Sequence, residues 1–299
     1  MSLPVMLRRL AFGLLLLLPL AAVAEQLTLK DGDTTLTAEL KLADGKSLED
    51  GVIVMLHGTL AHSRMEIMQA MQNVMAARGY SSLAVNLGYG ISNREGMMDC
   101  AATHTHRHED AVREVGLWVD WLKGQGAGQL ALLGHSRGGN QIAMYAKAHP
   151  EMNDVPMILI APATHDADQE AKAYKERYGK PLDSVVKRAE GMVKAGKGDE
   201  LLKGIGFVYC EDATATARSV VSYYDATDRD TPALLAGMKR PALVFAGSED
   251  TTVADLPEKM APIADGETIR FEVIDGADHF FRDLYAEDVA DIIEGYLGW

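Results

Sequence analysis

Gly134-His135-Ser136-Arg137-Gly138-Gly139 is the strongest chemical signal in this chain of 299 residues. The apolar run Leu130 to Leu133 leads into it and a helical pattern follows, so a Gly-x-Ser-x-Gly pentapeptide stands where a strand turns sharply into a helix. A serine in such a turn has a strained backbone, and side chains at Gly134 or Gly138 would collide with the neighbouring strand and helix. The helix N-terminus that follows favours an oxyanion formed during acyl transfer. A serine hydroxyl is inert at its free pKa. It needs an imidazole to take its proton, and that imidazole needs a carboxylate to fix its tautomer.

At this motif the chain resembles the α/β-hydrolase family, and the resemblance runs from an N-terminal hairpin to the last helix. Val54-Met55-Leu56-His57-Gly58-Thr59 is similar to the family's strand and His-Gly turn, which implies that the Thr59 N–H serves the oxyanion hole. The second donor implied is the N–H of Arg137, which leaves the Arg137 side chain free for another task. Leu243-Val244-Phe245-Ala246-Gly247-Ser248-Glu249-Asp250 resembles the turn carrying the triad acid, and Gly276-Ala277-Asp278-His279-Phe280 the turn carrying the histidine. The implied triad is Ser136, Asp250 and His279. Glu249 competes for the acid role, but the Gly-x-x-Asp register favours Asp250. A serine in the turn excludes the aspartate-nucleophile chemistry of dehalogenases and epoxide hydrolases. The implied pocket includes His57, Leu60, His135, Arg94, His104, His106 and Phe280. His57 is expected to support the oxyanion loop and His135 to pack within the nucleophile turn.

His104-Thr105-His106-Arg107-His108 is the most unusual local feature, because alternate residues of an extended chain project three imidazoles to one face. Metal binding is one reading. The stronger one is a pocket rim of hydrogen-bonded or exposed histidines, since no further ligand spacing supports a metal, so no metal site is assigned. Arg94 and Arg107 are candidates to meet an anionic substrate group, with a solvated arginine as the commoner role.

These side chains need a scaffold. Gln26 to Leu29 and Thr34 to Leu42 alternate around Asp31-Gly32-Asp33, which predicts an antiparallel hairpin with one solvated face at a sheet edge. Downstream, continuous apolar runs at Val52 to Leu56, Ser82 to Val85, Leu130 to Leu133, Met157 to Ile160, Ala242 to Phe245 and Ile269 to Ile274 suit parallel strands covered on both faces. Helical patterns lie between them, and the Met65, Met68, Met71 and Met75 stripe has the spacing of a buried helix face. Together they predict an α/β fold: a mostly parallel central sheet flanked by helices, with the hairpin at one edge. Residues 164–235, rich in Ala, Lys, Asp and Glu, read as an inserted helical cap, because a structureless loop of that length is improbable in a compact domain.

Residues 1–24 read as a cleaved leader: Arg8 and Arg9 precede the apolar run Ala11 to Leu20, and Ala22-Val23-Ala24 supplies small residues for cleavage. An uncleaved anchor is disfavoured, since the run is about half the ~20 residues that span a bilayer and Pro19 interrupts it. Residues 25–299 are then a single exported domain, periplasmic or secreted, with no stable membrane anchor. In an oxidising compartment Cys100 and Cys210 are candidates for one disulfide, with two separate buried thiols as the alternative. The net charge of −14 disfavours nucleic-acid binding. The expected partner is a small-molecule acyl substrate, and the chemistry needs no cofactor. Oligomeric state is unreadable, with a monomer as default. Acyl transfer, amide cleavage and a catalytically idle binding role on the same fold are the alternatives to ester hydrolysis.

Overall fold

Each continuous apolar run becomes a strand. In the computed structural model, which describes residues 24–225 and 229–299, the strands are β1 (Glu25–Asp31), β2 (Thr34–Lys41), β3 (Val52–Leu56), β4 (Ser81–Asn86), β5 (Thr103–His104), β6 (Leu130–His135), β7 (Met157–Ile160), β8 (Leu201–Phe207), β9 (Cys210–Thr216), β10 (Ala242–Gly247) and β11 (Ile269–Ile274). The helices are α1 (Glu66–Ala77), α2 (His108–Gly124), α3 (Arg137–Ala148), α4 (Ala167–Tyr178), α5 (Leu182–Lys194), α6 (Ala217–Tyr224), α7 (Thr231–Leu235), α8 (Leu256–Met260) and α9 (Leu284–Leu297). Apart from Ala24, the leader read over 1–24 lies outside the described residues. No helix among the described residues is long and apolar enough to cross a membrane.

Eight strands form one sheet in the order β1-β2-β4-β3-β6-β7-β10-β11. The β1–β2 and β2–β4 pairs are antiparallel and the rest parallel, so the hairpin extends one edge as expected. Every residue of β3, β4, β6, β7 and β10 is buried, the signature of strands sandwiched between helix layers. The methionine stripe of α1 packs there too, with Met68, Met71 and Met75 inside. One expectation fails at β2: Leu36 to Leu40 is buried on both faces rather than half solvated. One reason is that the 91–94 loop lies along this strand, with the Asn93 N–H donating to Thr35 O and the Thr35 N–H to Ser92 Oγ. Another is that Gln72 of α1 donates to Glu39 O.

The parallel register places the C-terminal ends of β3, β6, β10 and β11 along one side of the sheet, with Leu56 opposite Gly134 and Gly247 opposite Ile274. The residues leaving those ends are Thr59, Ser136, Asp250 and His279. Ligand sites of open α/β sheets form at these ends.

Between β7 and β10 the chain folds as α4, α5, β8, β9, α6 and α7. The reading of this stretch as helical is therefore corrected, because it contains a hairpin. β8 pairs antiparallel with β9, and β9 pairs in parallel with β5 from the loop after β4. An Ala- and charge-rich segment with β structure depends on such nonlocal partners, which local propensity does not report. A disulfide between Cys100 and Cys210, 110 residues apart, joins the same loop to β9. The insertion shares the core, contributing buried Tyr174, Leu202, Phe207 and Val220.

Candidate active site

Ser136 stands between β6 and α3 with φ 54° and ψ −123°, a left-handed conformation that a non-glycine residue adopts only when its surroundings enforce it. The flanking glycines supply that enforcement. A Cβ on Gly134 would lie 2.5 Å from the Gly138 carbonyl oxygen, and one on Gly138 would lie 2.4 Å from the carbonyl oxygens of Leu56 and His57. The turn and the neighbouring β3 loop are thus packed backbone to backbone, which no side chain permits.

His279 Nε2 lies 2.9 Å from Ser136 Oγ, and His279 Nδ1 lies 2.8 Å from Asp250 Oδ2. All three residues are buried. Burial pushes the Asp250 carboxyl up, but the His279 hydrogen bond and charge and the N–H groups of Thr252 and Val253 outweigh it, so its pKa falls below the ordinary value. An ionised Asp250 fixes the proton of His279 on Nδ1 and leaves Nε2 to accept from Ser136. Glu249, the competitor, has its N–H on the Ala277 carbonyl and no side-chain bond to His279. His135 lies beneath. Its Nε2 donates to the His279 carbonyl at 2.9 Å, and burial followed by the proximity of His279 holds its pKa down at about 4, so it stays neutral. Phe280 packs edge-on against the His279 ring at 5.4 Å.

The N–H groups of Thr59 and Arg137 have no hydrogen-bond partner among the described residues. The side chains of these two residues are joined: Arg137 Nε donates to Thr59 Oγ1 at 3.0 Å. Behind the Thr59 loop, Arg94 is buried and donates to the carbonyls of Leu87 and Ala61 and to Asn86 Oδ1. His57 Nδ1 donates to Gly58 O, and its Nε2 accepts the Leu87 N–H at 3.1 Å. Burial and the Arg94 charge push His57 well below its usual pKa, consistent with a neutral acceptor. Leu60, at φ 53°, accepts the Met98 N–H on its carbonyl.

A cavity of about 530 Å³ lies next to the Ser136 turn, lined by its neighbours Arg137, Ala163 and Thr252 but not by Ser136, Asp250 or His279 themselves. Its sheet side includes Arg137, Ala163, whose N–H donates to Ser136 O, and Thr252. Its other side is Tyr174 and Arg177 of α4, Tyr209 of the β8–β9 turn and Tyr223 of α6. None of His57, Leu60, His135, Arg94, His104, His106 or Phe280, the residues read from sequence as a pocket, lines this cavity. Arg94, His57 and Leu60 instead make the frame of the β3 loop, because a buried guanidinium must spend its donors on nearby carbonyls. The solvated role expected of Arg94 is thereby corrected.

The histidine segment is hydrogen-bonded rather than exposed, and its last member, His108, lines the larger cavity. His104, His106 and His108 are all buried. His104 Nδ1 and His106 Nε2 share a hydrogen bond of 3.1 Å, and His106 Nδ1 meets the Tyr223 hydroxyl at 2.8 Å. Burial drives His106 down to about 3. His106 borders a smaller cavity of about 250 Å³, away from Ser136, and Arg107 turns outward to Asp110. Among the described residues no group of three His, Cys, Asp or Glu side chains is arranged to hold a metal. Sequence reasoning missed Tyr174, Arg177, Tyr209 and Tyr223. Their side chains reach the site only through the fold of the insertion, and no local pattern marks them.

A family model described as the alpha/beta hydrolase family matches residues 53–292. Among curated proteins none matches the chain by sequence. In overall structure the chain is similar to Est1E from Butyrivibrio proteoclasticus, with 16% identity, a TM-score of 0.61 and coverage of 92% of this chain and 99% of that one. It is similar also to a monoacylglycerol lipase of Paleococcus ferrophilus, with 16% identity, a TM-score of 0.60 and coverage of 88% and 98%. E-2-(acetamidomethylene)succinate hydrolase gives 16% identity, a TM-score of 0.58 and coverage of 93% and 100%. Identities this low speak for the fold alone. With the family model spanning most of the sequence, the chain belongs to the alpha/beta hydrolase family.

Proposed function

We propose that this protein is an exported serine hydrolase that cleaves a carboxylic ester through an acyl-enzyme on Ser136. The observation that carries the reading is the continuous hydrogen-bonded chain from Ser136 Oγ through both nitrogens of His279 to Asp250. Ser136 Oγ attacks the ester carbonyl while His279 Nε2 takes its proton. Asp250 holds the Nδ1 proton and stabilises the imidazolium. The N–H groups of Thr59 and Arg137 receive the oxyanion, each contributing on the order of 10²- to 10³-fold in rate. His279 then returns the proton to the leaving alkoxide, and water activated by His279 releases the acid.

Export is supported by the leader pattern of residues 1–24 and by the Cys100–Cys210 bridge, a crosslink that persists in oxidising compartments. The test is labelling by a fluorophosphonate probe together with turnover of p-nitrophenyl esters from acetate to palmitate. Both signals are expected in the protein and neither in Ser136→Ala. Labelling of Ser136 without turnover of any ester would move the reading to amide cleavage or acyl transfer, and no labelling would leave only an idle binding role.

A further inference from the structure

The charges lining the large cavity are not balanced in the usual way. Only some of its charged groups have a charged partner: Asp255 lies 3.1 Å from Lys259, whereas Asp166 caps α4 by accepting the Gln169 N–H and Glu170 lies 3.2 Å from His165, which is charged only when protonated. Two of its arginines have none: neither Arg137 nor Arg177 forms an ion pair with a described carboxylate. Arg137 is half-buried beside Ser136. Its Nε donates to Thr59 Oγ1, its Nη1 lies 3.3 Å from His108 Nε2, and its guanidinium stacks over Tyr223 at 5.2 Å. Burial followed by the Arg137 charge holds His108 well below its usual pKa, so this partner is neutral and cancels no charge. Nη2 of Arg137 has no hydrogen-bond acceptor among the described residues. Arg177 stacks on Tyr209 at the outer part of the same cavity, with 4.7 Å to the ring centroid. A half-buried guanidinium with an open edge and no counterion is suited to a bidentate carboxylate.

We propose that the cavity selects esters that carry a carboxylate, bound by the open edge of Arg137 and drawn in by Arg177. This rests on the ester-hydrolase reading and names the substrate class of that site. The net charge of −14 does not oppose it, because fields from distant surface carboxylates are screened within about 8 Å at physiological ionic strength, whereas a contact inside the cavity is not. The same contact draws on the guanidinium that bridges to Thr59, so an anionic substrate would also brace the oxyanion loop.

Two matched pairs test the proposal and distinguish the two ends of the ester. p-Nitrophenyl hemiglutarate against p-nitrophenyl butyrate places the charge on the acyl side, and 4-acetoxybenzoate against phenyl acetate places it on the alcohol side. In at least one pair the anionic ester is expected to have a kcat/KM about tenfold or more above its neutral partner, a typical gain from a charge-assisted pair. Arg137→Met should abolish that ratio, and Arg177→Gln, an exposed position with little demand on folding, should reduce it several-fold. A ratio near one in both pairs overturns the proposal. If Ser136 resists the fluorophosphonate probe, the hydrolase reading fails instead, and calorimetry then decides the anion site alone. Glutarate is expected to bind Ser136→Ala and not Ser136→Ala with Arg137→Met, and failure to bind the single variant overturns the proposal.

Discussion

Ser136, Asp250 and His279 leave the ends of β6, β10 and β11, while the facing wall of the cavity comes from α4, the β8–β9 turn and α6. The first region is fixed by parallel strands and by glycines whose replacement would drive a Cβ into backbone. The second is fixed by a disulfide, a three-stranded sheet and buried imidazoles. Chemistry that must be placed to a fraction of an ångström sits on the rigid part. On the ester-hydrolase reading, the wall that would choose the substrate sits on the part held by a few separable ties, which allows its shape to vary without disturbing Ser136, Asp250 and His279.

If this division is right, damage to the first region abolishes turnover without touching the fold. Asp250→Asn keeps the size of the side chain but offers an N–H where His279 Nδ1 must donate. The imidazole then adopts the wrong tautomer. A fall in kcat of about 10⁴-fold is expected, measured on whichever ester proves best, with the fold retained and a modest loss of stability at neutral pH, because a lowered pKa means that the ionised Asp250 favours the folded state. A loss below tenfold would mean that His279 does not depend on Asp250.

Damage to the second region should do the reverse. The Cys100–Cys210 bridge closes a loop of 110 residues, for which chain entropy gives a stabilisation of about 4–5 kcal/mol. Replacing both cysteines by serine is expected to lower unfolding stability by that order in denaturant titration. The rate of fluorophosphonate labelling at Ser136 should remain within about threefold, since the strand ends do not need the tie.

The same contrast explains what could be read in the chain. Gly134 and Gly138 flank Ser136 because packing forbids anything larger there, and such a constraint leaves a local mark in sequence. Asp250 and His279 follow strands recognisable as apolar runs. Arg94 and His104 lacked such marks: a buried arginine satisfied by carbonyls and an arginine facing a ligand look alike in one dimension. The hairpin of β8 and β9 was hidden for a related reason, since its partner, β5, is two residues long and lies roughly a hundred positions away. The pocket wall built from that hairpin was hidden with it.

The loop after β4 is the seam between the regions, and Glu114 holds one end of it by accepting the Gly88 N–H at 2.7 Å. Burial outweighs that hydrogen bond and raises its pKa from 4.5 to about 7. Between those values the unfolded chain has released the proton and the folded chain has kept it, so Glu114 lowers stability as pH rises from 4.5 to 7. The full penalty is roughly 3 kcal/mol. Buried His106 and His135, held near 3 and 4, act oppositely by losing stability as pH falls below 6.5. Comparing variants isolates the glutamate: Glu114→Gln should match the parent near pH 4.5 and exceed it in unfolding stability at pH 8. Equal stability at both pH values would place Glu114 in contact with solvent.

Arg137 belongs to both regions, and Thr59→Val asks how firmly they are coupled through it. Valine keeps the shape and the backbone N–H of Thr59 but removes the oxygen that accepts from Arg137 Nε at 3.0 Å. The nucleophile turn is held by glycine packing, so Ser136 and its labelling chemistry should persist. The guanidinium, however, keeps its stack on Tyr223 and its contact with His108 while losing its one hydrogen bond to the β3 loop. One neutral acceptor is worth about 1 kcal/mol, so kcat is expected to fall by about five- to tenfold. If the oxyanion loop depended on the insertion for its position, the loss would approach that of deleting an oxyanion donor, about 10²-fold or more, and the independence of the two regions would be disproved. A loss below twofold would show that Arg94 and His57 hold the Thr59 loop without help from the insertion.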